Sequence, residues 1–282
     1  MKSPITYAES SSRAVPRDDR AGFRFIDWCS CLWKRHPALV TGLGLVALWQ
    51  LGCSTFDVPT YLLPSPAQIL EGFAAQPIST WALHTWTTFR VAMMGFGLAI
   101  AVSIPLAVML VSSESLSRAV YPIIVAIQSV PIVAIAPIII VVLGTSDLPR
   151  VVITFLITFF PIVVTTAAGL MATPPEAIEL SRSLRAGQLR CMLHVRLPYA
   201  VPYIFSSLKV SVTLSLIGAV VAEFVAAERG LGYFIQFSTV YFKLNQAFGA
   251  LLILVALNLT TFKAVGALQR LVAPWSLPKR DA

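Results

Sequence analysis

Charge is what this sequence has least of. Only 12% of its residues are charged and 57% are apolar, against roughly 25% and 45–50% in soluble domains. That scarcity excludes a soluble fold of ordinary composition. The apolar runs also lack polar–apolar alternation, which excludes a membrane β-barrel, whose strands face lipid and lumen in turn. Histidine is scarce: His36, His84 and His194 lie far apart. They form no triad or zinc motif, and no paired carboxylates stand nearby, which argues against a membrane enzyme. The four cysteines, Cys29, Cys31, Cys53 and Cys191, have no ligand spacing with the histidines and read as reduced structural residues. There is no G-x-x-x-x-G-K-[ST] phosphate loop.

What the chain does have is length of apolar run. Runs of about twenty apolar residues recur, each long enough to cross a hydrocarbon core of roughly 30 Å. In lipid the backbone must satisfy its own hydrogen bonds, so such runs are helices. The expected fold is an all-α integral membrane protein with about six transmembrane helices, over 38–55, 88–112, 120–143, 151–171, 203–225 and 247–268. Pro105, Pro131, Pro137 and Pro161 fall inside these runs and suggest kinked, closely packed helices. Residues 1–36 form a polar, basic tail. Its stretch from Phe23 to Arg35 mixes aromatics with cations, as an interfacial helix or a set of snorkelling anchors would. The first apolar run begins only after that tail, so no cleavable signal is expected.

Lysine and arginine set the orientation. One set of alternate segments carries Lys2, Arg13, Arg17, Arg20, Arg24, Lys34, Arg35, Arg118, Arg182, Arg185, Arg190, Arg196, Arg270, Lys279 and Arg280. The other carries only Arg150, Arg229 and Lys243. Fifteen against three places both termini and the 172–202 loop in the cytoplasm. The net charge of +8 is thus written into loops and ends, and nucleic acid is not an expected partner. Arg90, Lys209 and Lys263 lie towards span ends and read as anchors. In the external 57–83 loop, Ser65-Pro66 is an N-cap and first-turn pair opening a short helix with Ile69, Leu70 and Phe73 on one face.

The 172–202 loop is the most informative segment. Thr173-Pro174-Pro175-Glu176 reads as a capping box. A helix follows through Glu179, Leu180 and Leu184, and Ala186-Gly187 offers a break. Leu189, Met192, Leu193 and Val195 then form the apolar face of a second short helix, ended by Leu197-Pro198 and Pro202. Two short amphipathic helices make a module for docking into another protein's groove, or a hairpin lying on the membrane surface.

The run Glu179-Leu180-Ser181-Arg182-Ser183-Leu184-Arg185-Ala186, with Val195-Arg196-Leu197-Pro198, resembles the cytoplasmic "EAA" loop of binding-protein-dependent transport permeases. Glu179, Leu197 and Pro198 stand at matching positions and Val195 replaces isoleucine. Leu180 and Ser181 replace two alanines. Arg185 occupies the glycine position, with Gly187 two residues later, a departure that would shift the bend between the helices. Val58-Pro59-Thr60-Tyr61-Leu62-Leu63-Pro64-Ser65-Pro66 resembles a motif of the nitrate, sulfonate and taurine permease group. Tyr121-Pro122, Gln128-Ser129-Val130-Pro131 and Ala134-Ile135-Ala136-Pro137 look closer to members importing pyrimidine precursors and riboflavin. Glu223-Phe224 and Gly230-Leu231-Gly232-Tyr233 also match the group. The resemblance covers roughly 45–275.

It implies a type I ABC importer permease fold over 37–275, with a short cytoplasmic tail at 276–282, in a bacterial inner (plasma) membrane. It further implies a homodimer working with a separate ABC ATPase and a periplasmic or extracellular substrate-binding protein. ATP and magnesium would sit on the ATPase, and no cofactor would be bound by this chain. The ATPase-coupling residues it implies include Glu176, Glu179, Ser181, Leu184, Arg185, Ala186, Gly187, Leu193, Val195, Leu197 and Pro198. Candidate pathway residues are Gln128, Ser129, Pro131, Glu223 and Asn258, with Thr260 and Thr261 nearby. Glu223, a carboxylate inside an apolar run, is a functional candidate by position, or else a snorkelling or locally paired group. The polar residues either line a passage or bond between helices. The alternative, a stand-alone secondary transporter or channel, predicts two related halves or ionisable relays. One intramembrane carboxylate and no evident repeat count against it.

Overall fold

The computed structural model describes residues 37–277. The basic tail with its aromatic stretch, Cys29, Cys31, and the Lys279–Arg280 end lie outside the described residues. A first compact unit ends at Val58 and contains helix α1 (Pro37–Thr55). The second runs from Pro59 onward. It contains α2 (Pro66–Ala74), α3 (Ile78–Ser112), α4 (Glu114–Gln128), α5 (Ile132–Leu143), α6 (Asp147–Met171), α7 (Pro175–Ser183), α8 (Gln188–Cys191), a π-helical turn at Met192–Arg196, α9 (Leu197–Ala226), α10 (Leu231–Val240) and α11 (Leu244–Val272).

Four described helical stretches are long and apolar enough to cross a membrane: Ile78–Ser112, Asp147–Met171, Gln188–Ala226 and Leu244–Val272. The bent pair α4–α5 is a fifth if counted as one span, and α1 is a shorter apolar helix. The expected kink within 120–143 is a sharp break: the two halves meet at 94°. The cause is local. Pro131 has no amide hydrogen to continue the helix and holds extended backbone at the start of α5, while Ser129 turns its hydroxyl back onto the Val125 carbonyl. Pro105, Pro122, Pro137 and Pro161, by contrast, stay inside their helices.

The core is the bundle of α3, α6 and α9, and its seam is built from small residues. Val91 and Ala92 of α3, Val151 of α6, and Leu216 and Ala219 of α9 pack as one cluster. Thr154, Thr158 and Thr166 on α6 and Ser207, Ser211 and Ser215 on α9 are buried. Lipid offers apolar side chains no reason to leave it, so helices associate through close packing, which small residues permit, and through hydrogen bonds. Ser103 of α3 supplies one such bond, donating to the Phe159 carbonyl of α6 at 3.1 Å. Thr154 and Thr158 instead donate to carbonyls on their own helix. The approach is close at Gly95, where a Cβ would come within 2.6 Å of Thr154, and at Gly169, where it would come within 2.6 Å of Tyr203 of α9.

The short helix after Ser65 forms as expected. The Ser65 hydroxyl accepts from the Gln68 amide at 3.3 Å, and the Ser65 amide donates to the Gln68 side chain at 2.9 Å. Phe73 at its end stacks on Trp81 of α3, and the indole N–H donates to the Phe73 carbonyl. The 226–246 loop carries an unexpected helix, α10, which packs against α9 and α11.

Candidate functional site

Between α6 and α9 the chain makes two short helical segments. The expected capping box does not form. Pro174, in extended backbone, is the N-cap of α7 and makes no side-chain cap. Thr173 is buried with its hydroxyl donating back to the Leu170 carbonyl, so it closes α6 rather than opening α7.

α7 ends in a Schellman arrangement. The Ala186 amide donates to the Ser181 carbonyl at 3.0 Å, and the Arg185 amide to the Arg182 carbonyl at 2.9 Å. This geometry requires left-handed backbone at the residue usually taken by glycine, and Arg185 adopts it, with φ 54°. Arginine here adopts the conformation for which glycine is normally chosen. Gly187 has an ordinary φ of −64°. The strain at Arg185 is of the order of 1–2 kcal/mol. Arg185→Gly is therefore expected to leave the thermal unfolding midpoint unchanged or raised, and Arg185→Val, β-branched, to lower it. A differential scanning measurement on the two variants separates these outcomes.

The second segment does not stop at Leu197-Pro198, as the sequence suggested. It continues without a break from Gln188 to Ala226, 39 residues. The prolines are accommodated by the π turn, in which the Leu197 amide reaches the Met192 carbonyl. Widening the helix by one residue re-routes hydrogen bonding just before Pro198, which has no amide hydrogen to give. The expected apolar stripe is split accordingly. Met192 is buried in the main core cluster with Leu197 packed against that cluster, whereas Leu189 and Leu193 face outward.

The outward face is consistent across both segments. Leu180 and Leu184, four residues apart on and just after α7, are 62% and 74% exposed. Leu189 and Leu193, four apart on the second segment, are 72% and 48% exposed. Glu176, Glu179, Arg185 and Gly187 are exposed beside them, and Pro198 is exposed further along. Ala186 and Val195 are half-buried, and Ser181 is buried. Single exposed leucines are ordinary; four on one short module make an unpartnered apolar face.

At the other end of α9 lies a buried polar cluster. Glu223 is fully buried. Its carboxylate accepts from the Thr88 hydroxyl of α3 at 2.8 Å and from the Gly232 amide of α10 at 2.7 Å. Thr88 Oγ1 also accepts from the Leu231 amide at 2.8 Å, and His84 Nδ1 accepts from the Gly230 amide at 3.0 Å. The first amides of α10, which have no partner within their helix, are thus taken up by α3 and α9. Gly230 makes this possible: its φ is +127°, and a Cβ there would come within 2.2 Å of the Glu223 carboxyl carbon. The cluster latches three helices together.

Glu223 is therefore a locally paired carboxylate with no face on open space in this chain. Gln128, Ser129 and Pro131 are exposed at the α4–α5 bend, and Asn258 is half-buried on α11. The candidate pathway residues thus occupy three separate places. Thr260 and Thr261 donate to carbonyls of their own helix. Arg90, expected as an anchor, is instead ion-paired with Asp147 at the start of α6. His84 and Thr88 went unsuspected. The one available signal was a Gly-x-Gly placed soon after an intramembrane carboxylate, and it does not reveal which residues of α3 complete the set.

The family described as "Binding-protein-dependent transport system inner membrane component" matches residues 95–276. The chain is 34% identical over 233 residues to the formylaminopyrimidine transport permease protein of Halalkalibacterium halodurans, covering 83% of this chain and 93% of the relative. It is 35% identical over 245 residues to the riboflavin transport system permease protein of Chloroflexus aurantiacus, covering 86% and 91%. Among solved structures it is similar to a chain of the inward-facing MetNI methionine ABC transporter. That match has a TM-score of 0.58 and 22% identity, and covers 67% of this chain and 94% of the other. At that identity the likeness is one of fold.

Proposed function

We propose, from the premise that this chain belongs to the binding-protein-dependent transport system inner membrane component family, that its two short cytoplasmic segments are the handle by which a separate ATPase drives transport. The chain is a permease subunit of an ABC importer. The observation that carries the proposal is the outward exposure of Leu180, Leu184, Leu189 and Leu193, the last two on a segment continuous with α9.

From Leu189 to Glu223 the helix advances about 50 Å at ~1.5 Å per residue. A displacement of the exposed segment is therefore carried to the latch at the far end, where α3 and α10 are held. A rigid element with two discrete positions, biased by a ligand on its partner, is what alternating access requires. ATP and magnesium are bound by that partner, not by this chain. Both termini and the coupling segment face the cytoplasm, in the plasma membrane of a bacterium.

Two copies of the chain form the pathway. Supporting this, α11 exposes Leu251, Leu252, Val255 and Leu259, and α5 exposes Ile138, Val141 and Val142, faces that lipid or a second copy must cover. The solute is a small heterocycle of the pyrimidine-precursor or flavin kind. Support comes from relatives at 34% and 35% identity whose names state those cargoes. The test is reconstitution into proteoliposomes with the binding protein, with and without the ATPase. Uptake is expected only when ATPase and ATP are both present; uptake without either would make the chain a stand-alone transporter.

A further inference from the structure

At the end of the bundle that carries the latch, a cavity of about 540 Å³ opens between α3, the start of α6 and the end of α9. Its charged lining is Arg90, Arg150 and Arg229 against Asp147 and Glu228, with Trp86 on one wall. Asp147 is claimed twice: Arg90 pairs with it, and Arg150 Nη1 lies 3.2 Å from it. Arg150 is only 8% exposed. Its Nη2 reaches no closer than 3.5 Å to the Thr145 carbonyl, and its Nε has no hydrogen-bond partner among the described residues. Arg229 is exposed and forms no ion pair among the described residues.

A guanidinium is an expensive group to bury incompletely paired. Among the lining residues Arg90, Arg150 and Arg229 face Asp147 and Glu228, and the buried Glu223 carboxylate acts on Arg150 from the latch side, yet neither the Arg150 Nε nor the Arg229 guanidinium has a hydrogen-bond partner among the described residues. The amino end of α6, capped by Ser146, adds positive potential at the same place. The donors left open on Arg150 and Arg229 are what an added anion would take up, and guanidinium groups present planar donor pairs suited to a carboxylate.

We propose that this cavity is an anion-recognition site, taking a carboxylate or similar oxyanion between Arg150 and Arg229. The anion is supplied either by a free solute or by an acidic side chain of the docked external binding protein. Only the second source rests on the permease reading.

The test uses the full chain in lipid nanodiscs, with sodium acetate as probe against sodium chloride at matched ionic strength. The unfolding midpoint is expected to rise saturably in acetate and not in chloride. Arg229→Ser, at an exposed residue, is expected to weaken that response at least tenfold, and Arg150→Lys, which keeps the charge and loses the fork, to weaken it as well. In a second arm the cognate binding protein is titrated onto the nanodiscs. If its side chain is the ligand, Arg229→Glu weakens the complex at least tenfold and acetate competes with it. If a free solute is the ligand, the complex is unaffected while the acetate response disappears. No saturable acetate response together with unchanged binding-protein affinity in Arg229→Glu overturns the site, as does an acetate response indifferent to Arg229→Ser. Capture of an ATPase through the coupling segment is measured separately, so failure here leaves the permease reading standing.

Discussion

Replacing Gly230 with alanine is expected to cost about 3 kcal/mol or more and to lower the unfolding midpoint of the purified protein by several degrees. Two costs combine. The backbone at Gly230, φ +127° and ψ 163°, lies in a region essentially reserved for glycine, where other residues incur about 1–3 kcal/mol. The added Cβ would also sit 2.2 Å from the Glu223 carboxyl carbon, and overpacking a fitted site costs roughly another 1–3 kcal/mol. Gly187→Ala is the control. Its φ is ordinary and nothing lies within 4 Å of the added carbon, so a change within about 0.5 kcal/mol is expected.

Glu223→Ala tests the same latch from the other side. It leaves the Gly232 amide without its acceptor in a buried place, at about 1–3 kcal/mol, while the Thr88 hydroxyl keeps the His84 carbonyl at 3.2 Å. The double variant Gly230→Ala, Glu223→Ala should be less damaged than the sum of the singles, because removing the carboxylate removes the clash and leaves the backbone term. Additive effects in that cycle would show that Gly230 and Glu223 do not meet.

The second large effect is expected at the outward leucines of the two short segments. Leu184→Asp and Leu189→Asp should fold and insert normally, because both side chains already face outward. Both should lose the ATPase on co-purification, since truncating a central contact in an interface costs about 2–4 kcal/mol, or roughly thirty- to a thousandfold in affinity. Met192→Asp is the informative contrast. Met192 is buried in the core, so that variant should fail to accumulate in the membrane, with or without the ATPase. If Leu189→Asp instead destabilised the isolated chain and left ATPase binding intact, the leucine face would be internal packing.

Much of the fold could be read from the sequence because lipid leaves few options. Long apolar runs must be helices, and those around 88–112, 151–171, 203–225 and 247–268 all fall within long helices. The boundaries moved where tertiary contacts outweighed local signals. α3 starts at Ile78, ten residues early, because Trp81 and His84 are held by α2 and α10. The 94° break at Ser129–Pro131 could not be told from a simple kink, since a proline within an apolar run is compatible with both. The second short segment reads in sequence as terminated by Pro198 and Pro202, because a π turn that absorbs proline leaves no mark on composition.

The resemblance over 179–198 rests on the spacing of Glu179, Leu197 and Pro198. Its irregular member, Arg185, holds the left-handed backbone that glycine usually takes. The latch was hidden for a different reason. Its bonds join residues 135 and 146 positions apart, and nothing local to His84 or Thr88 distinguishes them from other polar residues of an apolar helix. The arginine cavity was hidden likewise: Arg90 lies within α3, Arg150 in the first turn of α6 and Arg229 in the loop after α9, and two of them carried weight only as charges in an orientation count.

Cross-linking in native membranes tests most directly whether this chain is driven by a separate motor. With a single cysteine at Glu179 or Leu193 in an otherwise cysteine-free background, the cross-linker should capture a nucleotide-hydrolysing subunit, and Leu189→Asp should abolish that adduct. Solute uptake that persists while neither position captures such a subunit would contradict the account.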